Sequence, residues 1–480
     1  MECLIIKISG SLEQSITLLR ANLNIEASFD IIEKRLNIGG KKAYMLFMDG
    51  FIKDDIAQRI LAQFQKIQPQ TMNSFQNAEQ FCDAQVSYTE TSLETDVVKI
   101  VTQVLSGPTL LLVDGFTEGI ILDLRTFPTR SIQEPDLEKT TKGSKDGFVE
   151  TIVFNTALIR RRIRDPKLTF EMINIGNRSR TDIVFGYIED IVDKSNLDKI
   201  RRRLLDLDVR SVTMLQESLI EGIIKSSWLN PFPKARYTER PDVAVSHLLE
   251  GKIVIIIDNS PNIILVPTTF FDFIQQAEDY YYPVITGNYI RIIRNTVFLL
   301  TLIFTPLWLL ATQNVSALPP WLQLIGPRET VAIPLLVQFL ILEFAVDGLQ
   351  LASLNTPSSL GTSLSIIGGL ILGDFAVQVG WFVPETILYM AFVTIGSFSQ
   401  QSTELSYAVK FFRIVLLILV WAFNGLGFLA GILFMCIVLG FTRTLTGDSY
   451  LYPLFPFQWQ DLKGKIFRST LRSGKKNNEG

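Results

Sequence analysis

Glu343, Asp347 and Gln350 stand at i, i+4 and i+7 inside LVQFLILEFAVDGLQLA, residues 336–352. On a helix that spacing makes one polar stripe, with Phe, Ile, Leu and Val on the opposite face. A charged carboxylate at the bilayer centre costs about 2.5–3.5 kcal/mol on insertion scales. Two on one helix cost more than several leucines recover, so the stripe must face protein or water. Asp374 and Gln378 repeat the i, i+4 arrangement in LGTSLSIIGGLILGDFAVQVG, residues 360–380. Gly369, Gly373, Ala376 and Gly380 line a neighbouring face at a small-xxx-small spacing that permits close helix contact. Two readings stand. One is a structural polar cluster, with carboxylates protonated or hydrogen-bonded across helices. The other is a hydrated path whose acidic groups favour cations, each carboxylate becoming a ring if subunits assemble around an axis. Asp374 is the best single candidate for that path, because its segment is the most interrupted by glycine. A transporter with broken helices is a further possibility, without a detectable inverted repeat to support it.

Few other residues suggest chemistry. His247 is the only histidine in 480 residues, which removes most Ser-His-Asp, Cys-His and zinc sites. GxxxxGK[ST], GxSxG and HExxH are absent. Cys3, Cys82 and Cys436 form no CxxC and suggest a reducing compartment without a disulfide framework. EPD (Glu134–Asp136) and ERPD (Glu239–Asp242) resemble carboxylate pairs, and His247 lies five residues beyond Asp242. Proline forces extended turns in both motifs, so we read them as ion pairs between domains or subunits, and His247 as structural. The runs RRRIR (Arg160–Arg164) and RRR (Arg201–Arg203) read as solvated helix faces. A net charge of −3 implies no polyanionic partner. We therefore expect no enzyme, no cofactor, no metal and no nucleic acid.

The polar stripe must be held by a membrane domain. Between Asn295 and Thr442 the only formal charges are Arg328, Glu329, Glu343, Asp347, Asp374, Glu385, Glu404, Lys410 and Arg413. Up to Tyr282 the chain is mixed and charge-rich, and after Arg443 it turns basic. MECLIIKISG is too short and too weakly basic for a signal peptide. Candidate spans are 295–312, 331–353, 360–380, 383–398 and 411–441, with lipid as the surrounding partner. Pro306 could kink the first, and Trp308 and Trp321 suit an interface. Arg291 and Arg294 precede it, which puts the soluble region in the cytoplasm. The last candidate is broken at Asn424-Gly425-Leu426-Gly427. A basic cytoplasmic tail requires an even number of crossings, which five candidates do not supply. One candidate is therefore expected to be re-entrant or only partly spanning, with the third and the fourth as the suspects.

The soluble region reads as α/β, in two subdomains. KAYMLFMDGFI, TLLLVDGFTEGIILDL and KIVIIIDNSPNIILVP each place an Asp turn after an apolar run, and the last two read as hairpins of central strands. Helices follow Ser11, Asp54 or Asp55, and Ser195, each a side chain able to cap. The turns need no metal or phosphate. The division is 1–127 and 128–285 for the subdomains, 286–442 for the helical transmembrane domain and 443–480 for the tail, with a break near Pro128–Lys145.

Three blocks carry a family resemblance. RSIQEPDLEKTTKGSKDGFVETIVFNTALIRRRIRDPKL (Arg130–Leu168), NPFPKARYTERPD (Asn230–Asp242) and DNSPNIILVP (Asp258–Pro267) occur in this order. They resemble GerA-type spore germination receptor A subunits, over most of the chain beyond Phe29. SYLYPLFPF (Ser449–Phe457) looks closest to the stage V sporulation protein AF branch. The resemblance implies a multi-pass protein of the spore inner membrane. It implies a homo-oligomeric, pentameric ion channel releasing cations in germination, with receptor B- and C-type subunits or a small membrane protein as partners. It assigns no ligand-binding residue here. The competing class is an oligomeric scaffold that conducts nothing.

Overall fold

The computed structural model describes residues 6–86, 90–125, 138, 140–176, 179, 181–207, 219–220, 230–328, 332–355, 369 and 376–468. The chain forms two compact units. One comprises Met1–Lys225 with Ala235–Pro267, the other Ser226–Lys234 with Thr268–Gly480.

The first unit contains the same arrangement twice. Helix α1 (Leu12–Asn22) leads to the strands β1 (Ile31–Ile38) and β2 (Lys41–Met48). Then come α2 (Asp54–Gln65), α3 (Pro69–Ser74), α4 (Ala78–Gln85), β3 (Thr91–Glu94), α5 (Val97–Leu105), β4 (Thr109–Val113) and β5 (Gly119–Leu122). The second pass is α6 (Ile152–Arg160), β6 (Leu168–Ile175), β7 (Thr181–Ile188), α7 (Lys194–Leu205), β8 (Arg236–Thr238), α8 (Pro241–Leu249), β9 (Ile253–Ile257) and β10 (Ile263–Val266). The antiparallel sheets have the orders β1-β2-β4-β5-β3 and β6-β7-β9-β10-β8. These are one order with every strand advanced by five.

The repeat extends to single hydrogen bonds. Asp114, in the β4–β5 turn, accepts from Leu12 N at 3.1 Å, the first residue of α1. Asp258, in the β9–β10 turn, accepts from Ile152 N at 3.3 Å, the first residue of α6. Gly115 N donates to Gly10 O, and Asn259 N donates to Glu150 O. Gly115 and Asn259 have φ of 92° and 65°, the left-handed region these turns need. Each aspartate, seated in a hairpin turn, thus caps a helix more than 100 residues earlier. Ser11 makes no side-chain cap. Asp54 and Asp55 lie in the first turn of α2 after Lys53, and Asp193 rather than Ser195 caps α7. β4 feeds both faces of its sheet: Leu110 and Leu112 meet α1 and α5, whereas Leu111 and Val113 meet α2, α3 and α4.

One arginine of each of two sequence motifs is interior, while Arg161 and Arg164 stay exposed as expected. Arg160, expected on a solvated face, is fully buried. It bonds Asp30 Oδ2 at 3.1 Å, Ser28 Oγ at 3.3 Å and Leu168 O at 2.9 Å, tying the second repeat to the first. In ERPD, Arg240 is buried and pairs with Asp242 at 2.7 Å inside the motif, while also donating to Glu138 O and Ser144 O. It anchors the segment before α6. Glu134 and Asp136 lie outside the described residues.

His247 on α8 is buried, and burial, reinforced by Lys252, lowers its pKa from 6.5 to about 4. The unfolded chain therefore binds the proton more readily. Its contribution is whole above pH 6.5 and falls away as pH drops to 4, by about 3 kcal/mol in total. Proteolytic susceptibility of residues 140–267 in the full-length protein should rise over that window. His247→Leu is expected to flatten the dependence; an unchanged pH profile would exclude this histidine as its source.

The second unit is helical. Its elements are α9 (Phe270–Phe273), α10 (Glu278–Tyr281), α11 (Val284–Gln313), α12 (Leu335–Asn355), α13 (Ala376–Gln378), α14 (Pro384–Ser397), α15 (Thr403–Phe441) and α16 (Trp459–Ile466). Among the described residues, three helices are long and apolar enough to cross a membrane: α11, Leu335–Ser353 of α12, and α15. α11 stays continuous through Pro306.

α15 is not one rod. Asn424 has φ 57° and ψ −137°, and the helix folds back there. Phe412 and Phe434, 22 residues apart, have ring centroids 5.9 Å apart. Gly431 lies against Leu416. A straight helix would separate residues so spaced by more than 20 Å. Residues 403–423 and 425–441 are therefore two antiparallel arms. One apolar run at the fifth candidate thus holds two arms, which changes the count of apolar segments on which the parity argument rests. Most of 360–380 lies outside the described residues.

Two anchors read from sequence have other roles. Arg291 and Arg294 lie within α11, are buried, and both bond Asp279 of α10 at 2.8 Å. Trp308 is buried, donates its indole N–H to Ile325 O at 3.0 Å, and packs on Phe339 and Tyr389. Trp321 is exposed.

Candidate functional site

The site begins with the directions of the helices. α11 and the first arm of α15 run parallel, since Phe298 packs with Leu405 and Phe412 at one end and Asn314 bonds Asn424 at the other. α12 and α14 run against them. Leu336 and Phe339 open α12 beside Trp308, and Glu343 comes down level with Thr301 and Arg413. α14 starts where Gln338 Oε1 accepts from Val383 N at 3.1 Å and Thr386 Oγ1 at 2.9 Å. It descends past Phe304 to Gly396, whose Cα faces Val297 and Thr301 so closely that an added Cβ would lie 2.7 Å from Thr301. Ser402 accepts from Leu405 N at 3.2 Å and starts α15.

These elements bring the α12 stripe onto a matching stripe of α15. Arg413 Nε and Nη2 donate to the two carboxylate oxygens of Glu343, at 2.6 and 2.9 Å. Arg413 Nη1 donates to Thr301 O at 3.0 Å. Lys410 Nζ sits 3.1 Å from Glu343 Oε2 and 2.5 Å from Asp347 Oδ1, and donates to Glu343 O at 3.1 Å. Glu343 is 2% exposed and Arg413 3%, whereas the Asp347 side chain is 32% exposed. Two carboxylates thus meet two cations, and the cluster is formally neutral. Fork-to-fork pairing with arginine is the strong form of this bond where water is excluded.

A cavity of about 110 Å³ adjoins the cluster. Its lining includes Asp347, Gln350, Gln400, Thr403, Ser406 and Lys410. It reaches the α14–α15 turn, where Phe398, Thr403 and Tyr407 are exposed.

The other sequence candidates are placed differently. Asp374 and Gly373 lie outside the described residues. Gln378 is exposed on α13 and does not line the cavity. Ala376 packs beside Leu342 and Met390. Gly369 and Gly380 have nothing within 4 Å of where a Cβ would stand, and Gly380 is in a left-handed turn at φ 78°. Close glycine packing occurs instead at Gly396, Gly427 and Gly431. Lys410 and Arg413 were legible as the two cations between Arg328 and Arg443, at i and i+3. Their opposite number, Glu343 and Asp347 at i and i+4, was the signal for pairing.

The family model of the Bacillus/Clostridium GerA spore germination protein matches residues 19–479. The chain belongs to the GerA family. Among GerA-type relatives, stage V sporulation protein AF of Bacillus subtilis is 36% identical over 451 residues, covering 92% of this chain and 89% of its own. Spore germination protein KA of Bacillus subtilis is 29% identical, covering 96% of this chain and 85% of its own. A solved structure, the N-terminal domain of the A subunit of the Bacillus megaterium spore germinant receptor GerK3, is 27% identical. It covers 56% of this chain and 99% of that one, with a TM-score of 0.44. This GerA chain is a spore germination receptor-type membrane protein; its own structure has an N-terminal α/β region of two antiparallel sheets, followed along the chain by a helical region.

Proposed function

We propose that this chain is the ion-conducting subunit of a homo-oligomer, a pentamer, which releases cations across the spore inner membrane during germination. One observation carries the reading: a polar cavity lies among helices long and apolar enough to cross a membrane. Glu343, held by Arg413, buttresses the path; Asp347 and Gln350 line it; Asp374 and Gln378 extend it. Counting α11, α12, segment 360–380 as its sequence reads, α14 and both arms of α15 makes six crossings. That even number keeps the N-terminal region and the basic tail together, on the cytoplasmic face. The second arm of α15 leaves Leu426, Leu429, Leu433 and Phe441 exposed, a face suited to lipid or a neighbouring copy. Reconstituted in liposomes, the protein should pass potassium. Asp347→Asn should slow that flux roughly tenfold, the consequence of losing about 1.4 kcal/mol of ion contact. Folded protein whose flux ignores both Asp347→Asn and Asp374→Asn would remove these residues from any path.

A non-conducting scaffold that recruits germination proteins, including B- and C-type subunits, is the second reading. It is favoured by the neutrality of the cluster, which by itself attracts no cation. Liposomes that stay tight around folded, oligomeric protein would establish it.

A further inference from the structure

We infer that the cavity beside Asp347 is a binding site for one partly hydrated monovalent cation, with Gln400 as a ligand and Lys410 as the group that excludes divalent ions. Gln400 is 7% exposed and lines the cavity. Among the described residues neither its Oε1 nor its Nε2 has a hydrogen-bond partner. A buried amide with both ends unmade is costly, so a native site of this kind holds something polar.

The free valences identify what. Lys410 Nζ donates to Glu343 O and lies 3.1 Å from Glu343 Oε2 and 2.5 Å from Asp347 Oδ1, so its charge is turned toward these oxygens. The lining residues can offer a guest oxygen from the Asp347 carboxylate, the amides of Gln350 and Gln400, and the hydroxyls of Thr403 and Ser406, while Gln400 Nε2 can donate to a water held by the cation. Such a set replaces a hydration shell with neutral dipoles and one shared carboxylate. Divalent ions with all-protein sites require several carboxylates, and Lys410 already neutralises much of this one. The volume, about 110 Å³, holds a cation with a few waters at roughly 30 Å³ each. A lone lysine beside an acid would be ordinary; the unsatisfied, buried amide across the space makes this a site.

The inference rests on the membrane placement of the helices and not on conduction. A chain that passes no ions would still bind, so absence of flux and absence of binding are separate results. Full-length protein in detergent is titrated with rubidium, with choline holding ionic strength constant, and bound rubidium is counted after filtration. We expect saturable binding of one rubidium per chain, displaced by potassium and not by choline or calcium. Gln400→Leu, which fills similar space, should weaken binding at least tenfold, as should Asp347→Asn. Lys410→Met should admit calcium as a competitor. Size-exclusion profiles and melting curves verify that each variant is folded. Folded wild-type protein without saturable binding, or binding indifferent to Gln400→Leu and Asp347→Asn, overturns the site. Calcium still excluded by Lys410→Met overturns the role of the lysine.

Discussion

Gly427→Ala should prevent the helical unit from folding, whereas Gly425→Ala, two residues away, should be tolerated. At Gly427 an added Cβ would stand 1.8 Å from Leu419 O and 3.0 Å from Val420 N. Both are backbone atoms of the opposing arm, so no side-chain rotation relieves the clash. The arms would have to separate by more than an ångström where they turn. Overpacking of this kind costs about 3 kcal/mol or more when only backbone can yield. Gly425 has nothing within 4 Å of its Cβ position, and alanine there adds up to about 1 kcal/mol of helix propensity. The comparison separates crowding from any general intolerance of the turn. A chain with Cys3, Cys82 and Cys436 replaced and with Phe412→Cys and Phe434→Cys added reports the geometry, because those rings lie 5.9 Å apart. Its crosslink should form in the parent and with Gly425→Ala, and vanish with Gly427→Ala. Equal crosslinking in all three would mean that α15 does not need this glycine to close.

Glu343→Gln should cost the unit about 3–5 kcal/mol, the penalty for stranding a buried cation. Arg413 is 3% exposed and directs two of its nitrogens at that carboxylate. For a helical unit of this size such a loss lowers the melting temperature by roughly 10 °C. Replacing both partners, as in Glu343→Gln with Arg413→Met, should recover most of it, since a buried pair exchanged for uncharged side chains is often neutral or better. Asp347→Asn should matter far less to stability. Its side chain is one-third exposed, and it shares Lys410 with Glu343. The two acids on one helix would then separate into a structural and a site-facing residue. If Glu343→Gln melted with the parent, the pair would not be holding α12 to α15.

The same logic explains the two repeats. The three Asp turns were visible as local strings, and the two hairpins they close were legible because turn chemistry is contained within four residues. The reach of Asp114 to Leu12, and of Asp258 to Ile152, was not. A cap for α1 was sought at Ser11 and was supplied from the far end of the repeat. Arg160 was read as solvated for a similar reason: nothing near it in sequence announces Asp30, 130 residues earlier.

What the sequence determined alone was local cost and local period. It placed apolar runs able to enter a membrane, required shelter for Glu343 and Asp347, and marked Asn424–Gly427 as a break. Those follow from the price of charge in hydrocarbon and from the restricted backbone of a non-glycine residue at positive φ. Tertiary structure decided which groups do the sheltering, that the break reverses the chain, and which glycine the reversal needs. Each depends on segments meeting across tens of residues, and a charge in one helix carries no local mark of the counterion chosen for it in another.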